Sequence, residues 1–207
     1  MKRRHLLNPL GAALLVATGS AVLSAGCSET RSPRAQFHAV DISDADDAAG
    51  FKLTDFNGRT RTLDDFRGQA VLVFFGYTQC PDVCPMTLSE MARVKQLLGT
   101  DGNCFQVLFV SLDPERDTPD VLRAYMQAFD ADFLGLYADS DAALQQLTRD
   151  FRVFYEKVDG RTPGNYTINH STASYVYDLE GKLRLFVRYE TPVDEIAKDV
   201  RLLLQGA

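Results

Sequence analysis

Two uninterrupted apolar runs dominate the pattern along the chain, "AVLVFFG" at residues 70–76 and "FQVLFVSLD" at 105–113. Runs without polar alternation suit strands buried on both faces, so both are expected as central strands of a sheet covered by helices. Between them Leu88, Met91, Val94 and Leu98 recur at helical spacing, and after the second run Val121, Leu122, Tyr125, Met126 and Phe129 do the same. The pattern then predicts a shorter helix over 141–150 and a strand in "VFYEKV", residues 153–158. "TASYVYDLEGKLRLFVRY", residues 172–189, alternates on either side of Glu180-Gly181 and predicts an antiparallel hairpin. A closing helix follows in "TPVDEIAKDVRLLL", with Thr191 as N-cap, Pro192 at the first helical position and Asp194 in the first turn. Its buried face would carry Val193, Ile196, Val200 and Leu203. Ahead of the first central strand, "FKLTDFNGRTRTLDDF" sets two short extended runs around Asn57-Gly58, a dipeptide that favours a tight turn.

Strand, helix, strand, helix, then a hairpin and a closing helix is the order of a thioredoxin-like α/β fold, a central mixed β-sheet flanked by helices with an N-terminal β-hairpin. That domain is expected over residues 51–207. The segment before it, 28–50, is polar, acidic towards its end and without apolar period, so it reads as a tether and entry segment. Residues 1–26 combine Lys2, Arg3 and Arg4 with an apolar stretch and small residues, which is the pattern of an export signal peptide. Its end, "LSAGC", resembles a bacterial lipobox, with Ser24 departing from the usual aliphatic residue, and the resemblance makes Cys27 a lipidation site. The alternative is an uncleaved anchor over residues 10–25. Both place the domain in the bacterial cell envelope, held to the membrane and facing the periplasm or exterior.

Charge narrows the partners. The formal charge of −6 becomes −9 once residues 1–26, with three bases and no acid, are removed. An acidic body without a basic run offers nothing to nucleic acid, and solubility accounts for it.

Two of the four cysteines stand in "GYTQCPDVCP", at the C-terminal end of the first central strand, where open α/β sheets place their chemistry. A structural disulfide between Cys80 and Cys84 would close too short a loop to constrain the unfolded chain. With the helix expected to start near Pro85, Cys84 sits at its N-terminus, which favours thiolate over thiol. Redox chemistry, metal binding or both follow. Thioredoxin-type enzymes carry a cis-proline before the hairpin that faces the cysteines, and here "INHS" stands in that place, with His170 immediately ahead of the strand. Two thiolates and one imidazole are a donor set suited to copper.

"GYTQCPDVCP", "SLDPERDTP" (111–119) and "NHSTASYVYDLEG" together resemble the Sco/SenC family, in order and spacing over roughly residues 50–205. The resemblance implies a copper-binding protein that holds Cu(I) or Cu(II) through Cys80, Cys84 and His170. It further implies a part in assembling the copper centre of cytochrome c oxidase, by delivering copper, by reducing the recipient's cysteines, or both. The partners would be the copper-bearing oxidase subunit or another periplasmic copper protein, and a thiol reductant. Gln79 stands where many members carry another polar residue, which touches no ligand.

Asp113 is expected to end the second strand and to fix His170 or a backbone amide from behind. Asp117 or Thr118, with Pro119, would cap the next helix. Asp82 reads as solvated, Cys104 and Met86 as small parts of the core, and His38 as a tether residue without a partner. The function expected is copper metallochaperone. The alternative is a thiol–disulfide reductase without metal, its redox-active pair Cys80 and Cys84. A peroxiredoxin is excluded because Val73 and Tyr77 precede Cys80, and Tyr77 and Pro81 precede Cys84, where Pro and Thr are needed. Glutathione peroxidases use a tryptophan, and the chain has none.

Overall fold

A computed structural model describes residues 36–45, 50–162 and 165–207. In the N-terminal half the elements are β1 (Val40–Asp41), β2 (Leu53–Asp55), β3 (Thr60–Arg61), β4 (Ala70–Gly76), α1 (Val83–Leu98) and β5 (Phe105–Ser111). There follow α2 (Pro119–Gln127), β6 (Leu134–Tyr137), α3 (Asp141–Asp150), β7 (Tyr155–Asp159), β8 (Tyr166–His170), β9 (Ser174–Tyr177), β10 (Leu183–Val187) and α4 (Val193–Leu204).

The two apolar runs form the centre of the main sheet. Every residue of β4 and β5 is buried, and the strands run parallel in register from Ala70 beside Phe105 to Gly76 beside Ser111. The sheet order is β1-β10-β9-β4-β5-β6-β2-β3, a mixed sheet in which β9 and β10 form the expected antiparallel hairpin. Alternate residues serve the two faces. Leu72, Phe74, Val107 and Phe109 pack with Leu88, Met91 and Val94 of α1, Leu122 and Met126 of α2, and Val200 and Leu203 of α4. Val71, Val73, Phe75, Leu108 and Val110 pack with Leu144 and Leu147 of α3, Phe151 and Tyr175. Burying each such side chain stabilises the fold by about 1.5–3 kcal/mol. This is the thioredoxin-like architecture. Around Asn57-Gly58 the strands β2 and β3 pair over only two registers, and β2 also pairs with β6.

Several boundaries differ from the sequence reading for identifiable reasons. Helix α1 begins at Val83 with Asp82 at its N-cap, so Cys84 lies inside the first turn. Thr118 does cap α2, accepting the Val121 amide, and Pro119 opens the helix. Thr191 does not cap α4. Pro192 holds the cap with an extended ψ of 134°, and the Thr191 hydroxyl donates to the Arg188 carbonyl at 2.8 Å instead. The expected strand at 153–158 is β7, shifted to 155–159, and it joins β8 in a ribbon that pairs with no strand of the main sheet among the described residues.

Residues expected in the tether belong to the fold. Strand β1 pairs with β10, and the buried carboxylate of Asp199 receives the amides of His38 and Ala39 and the His38 ring at 2.9 Å. His38 therefore has a partner. Cys104 is exposed, because it ends a 3-10 turn (Gly99–Cys104) instead of opening β5. Met86 is also exposed, its sulfur accepting the Tyr189 hydroxyl. Among the described residues no helix is long and apolar enough to cross a membrane. The expected signal peptide and Cys27 lie outside the described residues.

Candidate metal centre

The end of β4 sets the cysteines in place. Gly76 is its last residue, and a Cβ there would stand 2.7 Å from Cys84 Sγ and 2.8 Å from the Phe109 ring, so the absence of a side chain is what admits the sulfur. The chain then turns through Tyr77–Asp82 into α1, the Cys80 amide donating to the Tyr77 carbonyl at 3.2 Å. The turn is braced by Asp117, which is buried and accepts the Ser111 hydroxyl, the Thr78 hydroxyl and the Thr78 amide. Burial pushes the Asp117 carboxyl above its ordinary range, against the pull of those donors. Cys84 is wholly buried, Cys80 partly exposed, and both are free thiols.

His170 arrives from another element, the last residue of β8. Its Nε2 lies 3.5 Å from Cys84 Sγ, and its Nδ1 lies 2.7 Å from the Ser171 carbonyl oxygen. A carbonyl only accepts, so Nδ1–H donates to it, and this bond turns Nε2 towards the sulfurs. Phe74 and Tyr77 meet the imidazole edge-on, with centroids at 6.2 and 5.9 Å. The donor atoms of Cys80, Cys84 and His170 all lie within 4.8 Å of one another. Donors held at about 2.0–2.3 Å from one first-row ion in a trigonal array stand roughly 3.5–4 Å apart, so this group can close on a metal with small movements.

The two sulfurs are inequivalent. The hydrogen bond from the Cys84 thiol holds Cys80 far below the ordinary thiol range, outweighing burial and aided by His170 and the amides of Asp82 and Cys84. The same hydrogen bond, with burial and the Cys80 charge, pushes Cys84 up. Without metal Cys80 is therefore the more readily ionised sulfur, a nucleophile in front of a buried thiol. A cation would displace the shared proton and receive two thiolates.

Asp113 is wholly buried beyond the end of β5, where Arg116 donates to one oxygen and the Tyr166 hydroxyl to the other at 2.6 Å. Tyr166 opens the strand that His170 ends, so Asp113 holds the first residue of that strand; among the described residues its carboxylate bonds neither to His170 itself nor to a backbone amide, the two partners the sequence led us to expect. Asp82 is exposed. The sequence reading missed Tyr77, Arg116 and Tyr166, and gave Asp117 the cap of the next helix where it braces the cysteine turn. The motif "SLDPERDTP" contains two of them, but nothing in its spacing tells which acid faces the cysteines.

A model of the SCO1/SenC family matches residues 41–205. Among curated proteins, the SCO2-like protein of Rickettsia felis is 34% identical over 158 residues, 75% of this chain and 74% of its own. The mitochondrial SCO2 homolog of Bos taurus is 35% identical over 153 residues, 73% of this chain and 57% of its own. Among solved structures, Bradyrhizobium japonicum ScoI with copper bound superposes with a TM-score of 0.68 at 35% identity, covering 75% of this chain and 98% of that one. Apo Sco1 from Thermus thermophilus gives 0.67 at 33%, covering 81% and 97%. Fold, site and these likenesses agree, and the chain belongs to the SCO1/SenC family.

Proposed function

We propose that this protein is a copper metallochaperone, which holds copper through Cys80, Cys84 and His170 and assists assembly of the copper centre of cytochrome c oxidase. The observation that carries the reading is the convergence of two sulfurs and an imidazole nitrogen within 4.8 Å. Soft thiolates select Cu(I), imidazole accepts either oxidation state, and copper leads the divalent affinity order. Copper is bound in Bradyrhizobium japonicum ScoI, which supports the same cargo here. Cys80 is the more exposed of the two sulfurs, so a recipient's thiolate approaches from that side and takes the ion by ligand exchange. Delivery outside the cytoplasmic membrane, from a body tethered through lipid on Cys27, is part of the proposal.

A second reading, thiol–disulfide reductase, is favoured by the inequivalence of the two sulfurs. The Cys80 thiolate would attack a substrate disulfide, forming a mixed disulfide and releasing one substrate thiolate. Cys84 would then give up its proton and attack Cys80, forming the 80–84 disulfide and releasing the second thiol. Two electrons pass to the substrate, and an external thiol reductant resets the pair.

Copper titration of the full chain, reduced and oxidised, separates the two. The chaperone reading expects one copper per reduced chain and loss of that binding on oxidation, since both thiolate ligands vanish together. A reduced chain that takes no copper yet reduces a disulfide would leave only the reductase.

A further inference from the structure

His170 reaches the cysteines on a strand that the main sheet does not hold. Among the described residues β7 and β8 pair only with each other, so the place of the imidazole depends on how the ribbon is fastened to the body. The fastening runs through Arg116. Its Nε donates to Asp113, and its Nη1 donates to the Tyr166 carbonyl at 3.0 Å and to the Gln79 side-chain oxygen at 3.2 Å. Its guanidinium carbon stands 3.5 Å from the centre of the Tyr166 ring and 5.8 Å from that of Tyr77. One planar group thus touches the first residue of the strand that ends in His170, the neighbour of Cys80, and the ring on which His170 leans.

We infer that Arg116 is a positioning residue, which clamps β8 to the cysteine turn and so fixes His170 against Cys80 and Cys84. The plainer role is counter-ion to Asp113, and the geometry argues against that alone. Arg116 is 15% exposed, and its Nη2 is buried without a hydrogen-bond partner among the described residues. Burying an amino group unpaired costs free energy that a lysine would avoid. What the guanidinium adds is the fork: two donors aimed at two different elements while the plane stacks on a third side chain. The inference rests on Cys80, Cys84 and His170 acting as copper ligands.

The test compares the full chain with Arg116→Lys and Tyr166→Leu. Lysine keeps the charge of Asp113 compensated but loses the fork and the stacking, and leucine at the half-buried position 166 removes the ring and hydroxyl while leaving Arg116 beside Asp113. Two readings are taken: nuclear Overhauser cross-peaks between the His170 and Tyr77 rings in the reduced, metal-free protein, and copper retention against a chelator with the Cu(II)–thiolate absorption band. Both variants are expected to melt as folded proteins, lose the cross-peaks, shift the band and retain copper about tenfold or more less tightly. Parental cross-peaks and retention in Arg116→Lys would reduce Arg116 to a counter-ion and overturn the inference. If Arg116→Lys does not fold, Tyr166→Leu decides on the same readings. A parent that binds no copper would sink the chaperone reading instead, and the cross-peaks, which need no metal, would still judge the clamp.

Discussion

Cys80 and Cys84 share a motif but not an environment, and the difference follows from which sulfur faces out. The Cys84 thiol donates to Cys80, so the Cys80 thiolate persists at pH values where an ordinary thiol, with a pKa of about 8.5, is protonated. The sign follows from linkage: a depressed folded value contributes stability above the ordinary thiol range, and that contribution is lost as pH falls through the folded value. Between pH 8 and pH 5 the alkylation rate of Cys80 in the reduced protein is expected to stay nearly level. In the urea-unfolded chain it should fall about tenfold per unit. Peptide mapping by mass spectrometry reads both, and a tenfold fall per unit in the folded protein would contradict the hydrogen-bonded pair. Gly76 makes a second residue-scale case. Gly76→Ala forces a Cβ against Cys84 Sγ and the Phe109 ring, and overpacking of this kind costs about 1–3 kcal/mol. The denaturation midpoint should drop and copper retention with it, whereas unchanged values would mean that the sulfur has room to spare.

At the scale of elements, the legible parts were those whose signal is collective. β4 and α3 lie where the apolar pattern put them, because seven consecutive buried positions and a Ser140 cap leave little choice. Strand β8 was not legible, since "YTINH" buries only Ile168 and is held as a strand by β7 and Arg116 rather than by its own pattern. β1 is two exposed residues, fixed by pairing with β10 and by Asp199 more than 150 positions away, which no local pattern reports. The three candidate donors were legible from spacing and motif, but the direction of His170 was not, because it depends on the Ser171 carbonyl and the ribbon's attachment. The turn between β2 and β3 gives a prediction of its own. Asp55 is wholly buried, accepts the Asn57 and Arg59 amides and pairs with Arg61 at 2.8 Å. Burial alone would raise its pKa, but those donors together with Arg61 hold it below the ordinary carboxylate value. Its contribution is therefore present above about pH 4 and lost as pH falls further. The acid limb of unfolding should move to higher pH in Asp55→Asn. An unmoved acid limb would show that the turn does not depend on the carboxylate.

For the whole molecule, the fold does two things for the site. It buries one thiol at the end of a strand closed on both sides, and it brings the histidine on a ribbon that can be fastened separately, so the donors converge without a preformed cage of backbone. The entry segment through His38 is tied to α4 by the Asp199 carboxylate, which fixes where the chain enters the domain. The proposed function depends on the three donors acting together on copper. The most direct measurement is copper retention by the reduced full chain and by His170→Ala, each dialysed against a competing chelator and assayed for metal per chain. One copper per parent chain is expected, with a loss of affinity of at least about tenfold in the variant and reduction of a model disulfide nearly unchanged. Equal copper retention by the two proteins would contradict it.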